Sequence, residues 1–97
     1  MILSFKHKGL KNYFEKGNSS KLPAIYLEKI SDILAVLNTA KSVNDLMVPT
    51  FKTHELKGSR SGTWSITVKA NWRITFTFEN DKVESLSIED VNFEDYH

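Results

Sequence analysis

The stretch Gly62 to Phe78, GTWSITVKANWRITFTF, constrains this chain more than any other. Trp64, Ile66 and Val68 alternate with Ser65, Thr67 and Lys69. After Ala70-Asn71, Ile74, Phe76 and Phe78 alternate with Arg73, Thr75 and Thr77. Period-two alternation of β-branched and aromatic residues with polar ones predicts two half-buried strands, one face for a core and one polar. Ala70-Asn71 is the expected turn, with Asn71 the residue that tolerates left-handed geometry. Arg73 therefore carries a permanent charge on the polar face of a rigid element.

The rest of the chain supplies partners for this hairpin. Ile2, Leu3 and Phe5 make Met1 to Lys6 an expected opening strand. Leu10, Tyr13 and Phe14 fall on one face of a helix over Gly9 to Lys16, with Gly17 as its stop. From Leu22 to Asn38 a stronger stripe of Leu27, Ile30, Leu34 and Leu37, widened by Tyr26 and Ile33, predicts a second helix packed on the sheet. Pro23 suits its first turn. Ser42 to Asp45 reads as a turn, Pro49 opens an irregular passage, and Gly58 and Gly62 mark turns before the hairpin. Beyond it, Glu79 to Lys82 reads as a turn, and Val83 to Ile88 with Val91 to Phe93 as a last, interrupted strand. The expected fold is α+β, a single domain over residues 1–97 in which a strand and two helices pack on an antiparallel sheet.

A chain of 97 residues, 40% hydrophobic, has material for one core. It has no cysteine, which removes disulfides, thiolate nucleophiles and thiolate zinc sites. The opening MILSFKHKG reaches its lysines too soon for a signal peptide, and no apolar run approaches the ~20 residues of a membrane span. A soluble, cytoplasmic protein with no membrane partner is expected. Residues 1–60 carry ten Lys/Arg against five Asp/Glu, whereas residues 61–97 carry three against seven. The basic part suits a polyanion such as RNA, although scattered lysines also serve solubility alone.

Five side chains could do chemistry: His54, Lys57, Arg73, Tyr96 and His97. Singly, each has an ordinary role, as a solvated loop histidine, a surface lysine, an arginine paired with Glu94 or Asp95, or a frayed terminus. If the last strand lies beside Arg73, all five converge on one face of the sheet. RNA cleavage through the substrate's own 2′-hydroxyl needs no metal or cofactor. It needs a base, an acid and cations for the phosphate. Histidine titrates near neutrality, arginine and lysine match phosphate oxygens, and tyrosine donates a proton or stacks on a base. His7 reads as structural, Trp72 as packing or a stacking surface, and Asn71 secondarily as a base-reading amide. Zinc held by His54, His97 and a carboxylate lacks any supporting spacing.

Three runs together resemble one family: FKHKGLKNYFEKG near the start, HELKGSRSGTWSITVKANWRITFTFEN in the middle, and EDYH at the end. They look like the HigB toxins of the RelE/ParE toxin–antitoxin superfamily. The resemblance implies a compact RelE-like fold and a ribosome-dependent endoribonuclease that cuts mRNA in the A site. It places catalytic roles on His54, Lys57, Arg73, Tyr96 and His97, with Asp95 as a supporting carboxylate and Asn71 contacting the A-site nucleotide. It also implies a helix-turn-helix antitoxin, HigA, through which the complex binds operator DNA. The run ENDKVESLSIED exceeds the family's usual connection and reads as a lengthened hairpin loop. Two alternatives remain, a ParE-like gyrase inhibitor and a toxin fold kept as an inert binding module.

Overall fold

A computed structural model describes residues 1–81 and 85–96. Helix α1, Lys8–Lys16, ends at Gly17, whose left-handed φ of 70° lets the amides beyond the helix reach the carbonyls of Asn12 and Tyr13. Its N-cap is His7, whose Nδ1 accepts from the Leu10 amide at 3.1 Å while its ring meets Phe93 edge-on, centroids 5.8 Å apart. Burial, then Lys21, lowers the His7 pKa from its ordinary value and keeps the capping nitrogen unprotonated. The structural role expected for this histidine is the one observed.

Helix α2, Leu27–Thr39, starts later than the apolar stripe suggests. Pro23 caps a one-turn 3-10 segment, Ala24–Tyr26, that precedes it. Ile30, Ile33, Leu34 and Leu37 are buried on one face of α2. Facing them are the apolar sides of β2, Trp64–Lys69, β3, Trp72–Asp81, and β4, Ser85–Asp95. With the short β1, His54–Glu55, these form an antiparallel sheet in the order β1-β2-β3-β4. The core joins Ile66, Val68, Ile74, Phe76, Leu86, Ile88, Val91 and Phe93 of the sheet to Leu10 of α1 and the α2 stripe. Fully burying such a side chain stabilises the fold by about 1.5–3 kcal/mol. Trp72 packs as expected, stacked on Phe93 at 4.8 Å.

Three expectations change. The opening strand is instead a pair of isolated parallel bridges to β4, Ile2 with Ile88 and Phe5 with Val91. Glu79 to Asp81 belong to β3, so the predicted turn is strand up to that point. The supposed loop ENDKVESLSIED is mostly hairpin, and only residues 82–84 of it lie outside the described residues.

The interruption expected between Ile88 and Val91 is a β-bulge. Thr75 pairs with Asn92 but Thr77 with Glu89, so β4 carries one more residue than β3 over that interval. Asp90, at φ 55°, takes up the extra residue. Leu86 and Ile88 before the bulge, and Val91 and Phe93 after it, all reach the core although their spacing breaks period two. The Ser4 hydroxyl accepts the Asp90 amide at 2.8 Å, satisfying a donor that the bulge removes from the ladder. Among the described residues, no helix is long and apolar enough to cross a membrane.

Candidate active site

The other face of the sheet is built from the alternate residues. Pairing sets His54 beside Ser65, Ser65 beside Thr75 and Thr75 beside Asn92, and sets Thr67 beside Arg73 and Arg73 beside Glu94. This face is polar but not fully solvated, since Ser65 is 0% and Thr75 2% exposed. The segment Lys57 to Thr63, between β1 and β2, sends one side chain over this face to β4. Arg60, within it, forms a bidentate pair with Glu94, Nη1 to Oε1 at 2.7 Å and Nη2 to Oε2 at 2.9 Å. Arg73–Glu94 pairing is not observed among the described residues.

The segment is pinned at both ends. Leu56 is buried and its amide donates to the Thr63 carbonyl at 2.8 Å. The Glu55 carboxylate accepts the Gly62 amide at 2.9 Å. Gly58 at φ 70° and Gly62 at φ 94° are left-handed, and a Cβ at either would meet no atom within 4 Å. Backbone conformation, not crowding, requires glycine there.

Glu94 is the most heavily bonded carboxylate on this face. Besides Arg60, its Oε2 accepts from the Thr75 hydroxyl at 2.5 Å and the Asn92 amide at 3.3 Å. The Arg60 hydrogen bonds, aided by those from Thr75 and Asn92 and opposed by burial, hold the Glu94 carboxyl down to about 2. The same contact raises the Arg60 guanidinium. That guanidinium also lies over the Tyr96 ring, 5.7 Å from its centroid.

His54, Glu55, Leu56, Lys57 and Tyr96 line one concavity of about 280 Å³. That is near the lower end of the ~300–1,000 Å³ usual for ligand sites, suited to a phosphodiester group rather than an engulfed molecule. His54 Nδ1 lies 2.9 Å from the Lys52 carbonyl. A carbonyl only accepts, so Nδ1 carries a proton and Nε2 is the ring nitrogen left for proton transfer. Tyr96 is tied down by its amide, which donates to the Asn71 carbonyl at 2.8 Å.

Of the sequence-derived candidates, three meet in this concavity: His54, Lys57 and Tyr96. Arg73 shares the face without lining the concavity. Its guanidinium is turned onto the Ala70 carbonyl of its own hairpin, with a longer contact to Trp72. Asn71 stands in that turn, but the left-handed residue is Ala70, at φ 51°. Asp95 pairs with Trp72, on the core-side row, so strand parity sets it opposite to Arg73 and Glu94. His97 lies outside the described residues. Arg60 escaped the sequence reading, although it stands in the motif HELKGSRSG. A larger cavity of about 310 Å³ between α1 and α2 is lined by Tyr13, Phe14, Ser31, Leu34 and Ala35, with no histidine, lysine, arginine or carboxylate in its lining.

Residues 3–97 match the sequence profile of the RelE-like toxin of type II toxin–antitoxin system HigB. The Endoribonuclease HigB of Proteus vulgaris is 52% identical over 97 residues, 100% of both chains. The YoeB/ParE toxin from Agrobacterium tumefaciens superposes with a TM-score of 0.57 at 23% identity, covering 97% of this chain and 99% of that one. A chain of the YoeB-YefM complex from Staphylococcus aureus gives 0.56 at 18% identity, covering 100% of this chain and 95% of that one. A point mutant of YafQ from E. coli gives 0.53 at 19%, covering 94% and 89%. At these identities the solved structures speak for the α+β fold alone.

Proposed function

This chain belongs to the HigB family of RelE-like toxins of type II toxin–antitoxin systems, and on that premise we propose how it cleaves RNA on the translating ribosome. It is the toxin of such a pair and an mRNA endonuclease, and its partner is an antitoxin. The finer readings are ours. The antitoxin is a HigA-type helix-turn-helix protein that alone contacts operator DNA, the substrate is mRNA in the ribosomal A site, and the compartment is the cytoplasm.

The tautomer of His54 carries the mechanism. With Nδ1–H held by the Lys52 carbonyl, Nε2 takes the proton from the substrate's 2′-hydroxyl. The 2′-oxygen then bonds to phosphorus, the bond from phosphorus to the 5′-oxygen breaks, and His97 returns a proton to that leaving oxygen. No metal or cofactor enters these steps. Lys57 and Arg73 stabilise the charge that builds on the phosphate oxygens. Arg73 need only leave neutral carbonyls to do so. Tyr96 stacks on and positions the substrate, Asn71 contacts the A-site nucleotide, and Asp95 supports the end of the strand. The products carry a 2′,3′-cyclic phosphate and a 5′-hydroxyl. The lysine-rich first sixty residues supply salt-sensitive docking to ribosomal RNA.

Mapping 5′ ends on mRNA bound to programmed ribosomes tests this reading. His54→Ala should lower cleavage by about 10²–10⁴-fold, the usual contribution of a general base. Undiminished cleavage would remove His54 from the mechanism. Inhibited gyrase supercoiling with no cut mRNA would return the ParE-like alternative, and normal growth on expression without antitoxin would return the inert module.

A further inference from the structure

Arg73 and Glu94 are direct cross-strand partners on one face. Opposite charges so placed, with Cβ atoms about 4.5–5.5 Å apart, ordinarily pair. Here they do not. Glu94 commits Oε1 to Arg60 and Oε2 to Arg60, Thr75 and Asn92. Arg73 donates only to the neutral carbonyls of Ala70 and Trp72, and has no acidic partner among the described residues. Its Nε is buried without a hydrogen-bond partner there.

We propose that Arg60 is a positioning residue of the RNA-cleaving site: by holding both oxygens of Glu94 it keeps that carboxylate off Arg73, whose charge is then left for the scissile phosphate. Arg60 crosses from its pinned 3-10 turn, Gly58–Arg60, to reach Glu94 over two intervening strands. Such a reach is unnecessary if Glu94 merely needs a cation, because Arg73 stands beside it. Arg60 does not itself take the phosphate, since its two terminal nitrogens are engaged by Glu94 and its face lies over Tyr96. The inference rests on the reading of Arg73 as a phosphate ligand.

A double-mutant cycle on cleavage of ribosome-bound mRNA tests it. Arg60→Gln frees Glu94 to pair with Arg73, and kcat should fall by about 10–100-fold with a smaller change in KM, as for loss of a transition-state contact. Glu94→Gln alone should stay within about threefold of the parent, because in this reading Glu94 makes no contact with the scissile phosphate and its neutralisation leaves Arg73 unopposed. Arg60→Gln/Glu94→Gln should recover most of the rate lost in Arg60→Gln, falling short of the parent only through the lost contact to Tyr96. The Arg73 Nε–H resonance should move in Arg60→Gln and return in the double variant. A double variant as slow as Arg60→Gln, or an unmoved resonance, overturns the inference. If Arg60→Gln does not fold, Arg60→Lys still offers Glu94 a cation and should keep most of the activity; loss as deep as that of Arg73→Ala overturns the inference. Arg73→Ala at the parent rate would instead overturn the reading beneath it. A slow Arg73→Ala with no recovery in the double variant overturns the role of Arg60 alone.

Discussion

Arg73 and Ile74 are neighbours in the chain and belong to two different environments in physical terms. Ile74 is 0% exposed among aliphatic and aromatic side chains from the sheet and both helices. Arg73, one residue earlier on the opposite face, sits among hydroxyls, amides and ions held by individual hydrogen bonds. Burial is non-directional and shared among many contacts, so the core face tolerates exchange of side chains where volume is kept. The polar face depends on named donors and acceptors, where losing one partner strands the other. One face sets stability, and the other sets charge.

The sharpest break in that division comes from the core side. Ile74→Ala should cost about 2–5 kcal/mol of stability through lost transfer energy and a residual cavity. Cleavage per folded molecule should hardly change, which denaturant unfolding beside an activity assay would check. Arg73→Ala is the mirror experiment. It should lower the rate by about 10²–10³-fold, as removing one preorganised electrostatic stabiliser does, with stability within about 0.5 kcal/mol. If either variant moves both readouts together, the two faces are coupled through β3 and the division fails.

The Glu94 pair sharpens the comparison by pH. Its carboxyl is held at about 2 in the fold against an ordinary 4.5. Its stabilisation is therefore complete above the ordinary carboxyl value and is lost as pH falls toward that of the folded state. Arg60 keeps 37% and Glu94 22% of side-chain exposure, so solvent screening argues for no more than the low end of the about 1.5–3 kcal/mol usual for hydrogen bonds to charged groups. Stability of the parent minus that of Glu94→Gln, followed by denaturation from about pH 5 to about pH 2, should shrink across that window. A difference that does not change with pH would mean that Glu94 contributes by packing and not as an ion.

What the sequence made legible divides along the same line. The helices and the hairpin follow from periodicity, because burial writes its spacing into the apolar residues. Even the β4 bulge left a trace, as two alternating runs out of phase at Glu89-Asp90. Directional contacts leave no such trace. Arg60 meets Glu94 across 34 positions, and nothing in either neighbourhood states that partnership. Asp95 and Tyr96 read as one terminal cluster in the sequence, yet Asp95 ends β4 on the core-side row while Tyr96, just beyond the strand, lines the concavity. Side-chain chemistry and resemblance to a family nominate Lys57 and Tyr96, and what brings them together is the pinned segment on one side and the hydrogen bond from the Tyr96 amide to the Asn71 carbonyl on the other.

The turn where the two faces exchange gives the smallest and most diagnostic effect. Ala70 is left-handed at φ 51°, a conformation costing an L-residue about 1–2 kcal/mol. Ala70→Gly relieves that strain but gives back about 0.5–1 kcal/mol through the greater freedom of unfolded glycine. The net expectation is a gain of a few tenths to about 1 kcal/mol, read as a higher midpoint in urea with an unchanged slope. The rate should not change, because the Ala70 carbonyl remains available to Arg73. A stabilised variant that cleaves more slowly would mean that strain in the turn helps to hold the arginine. In that case the hairpin that organises the core would also be setting the charge on the other face.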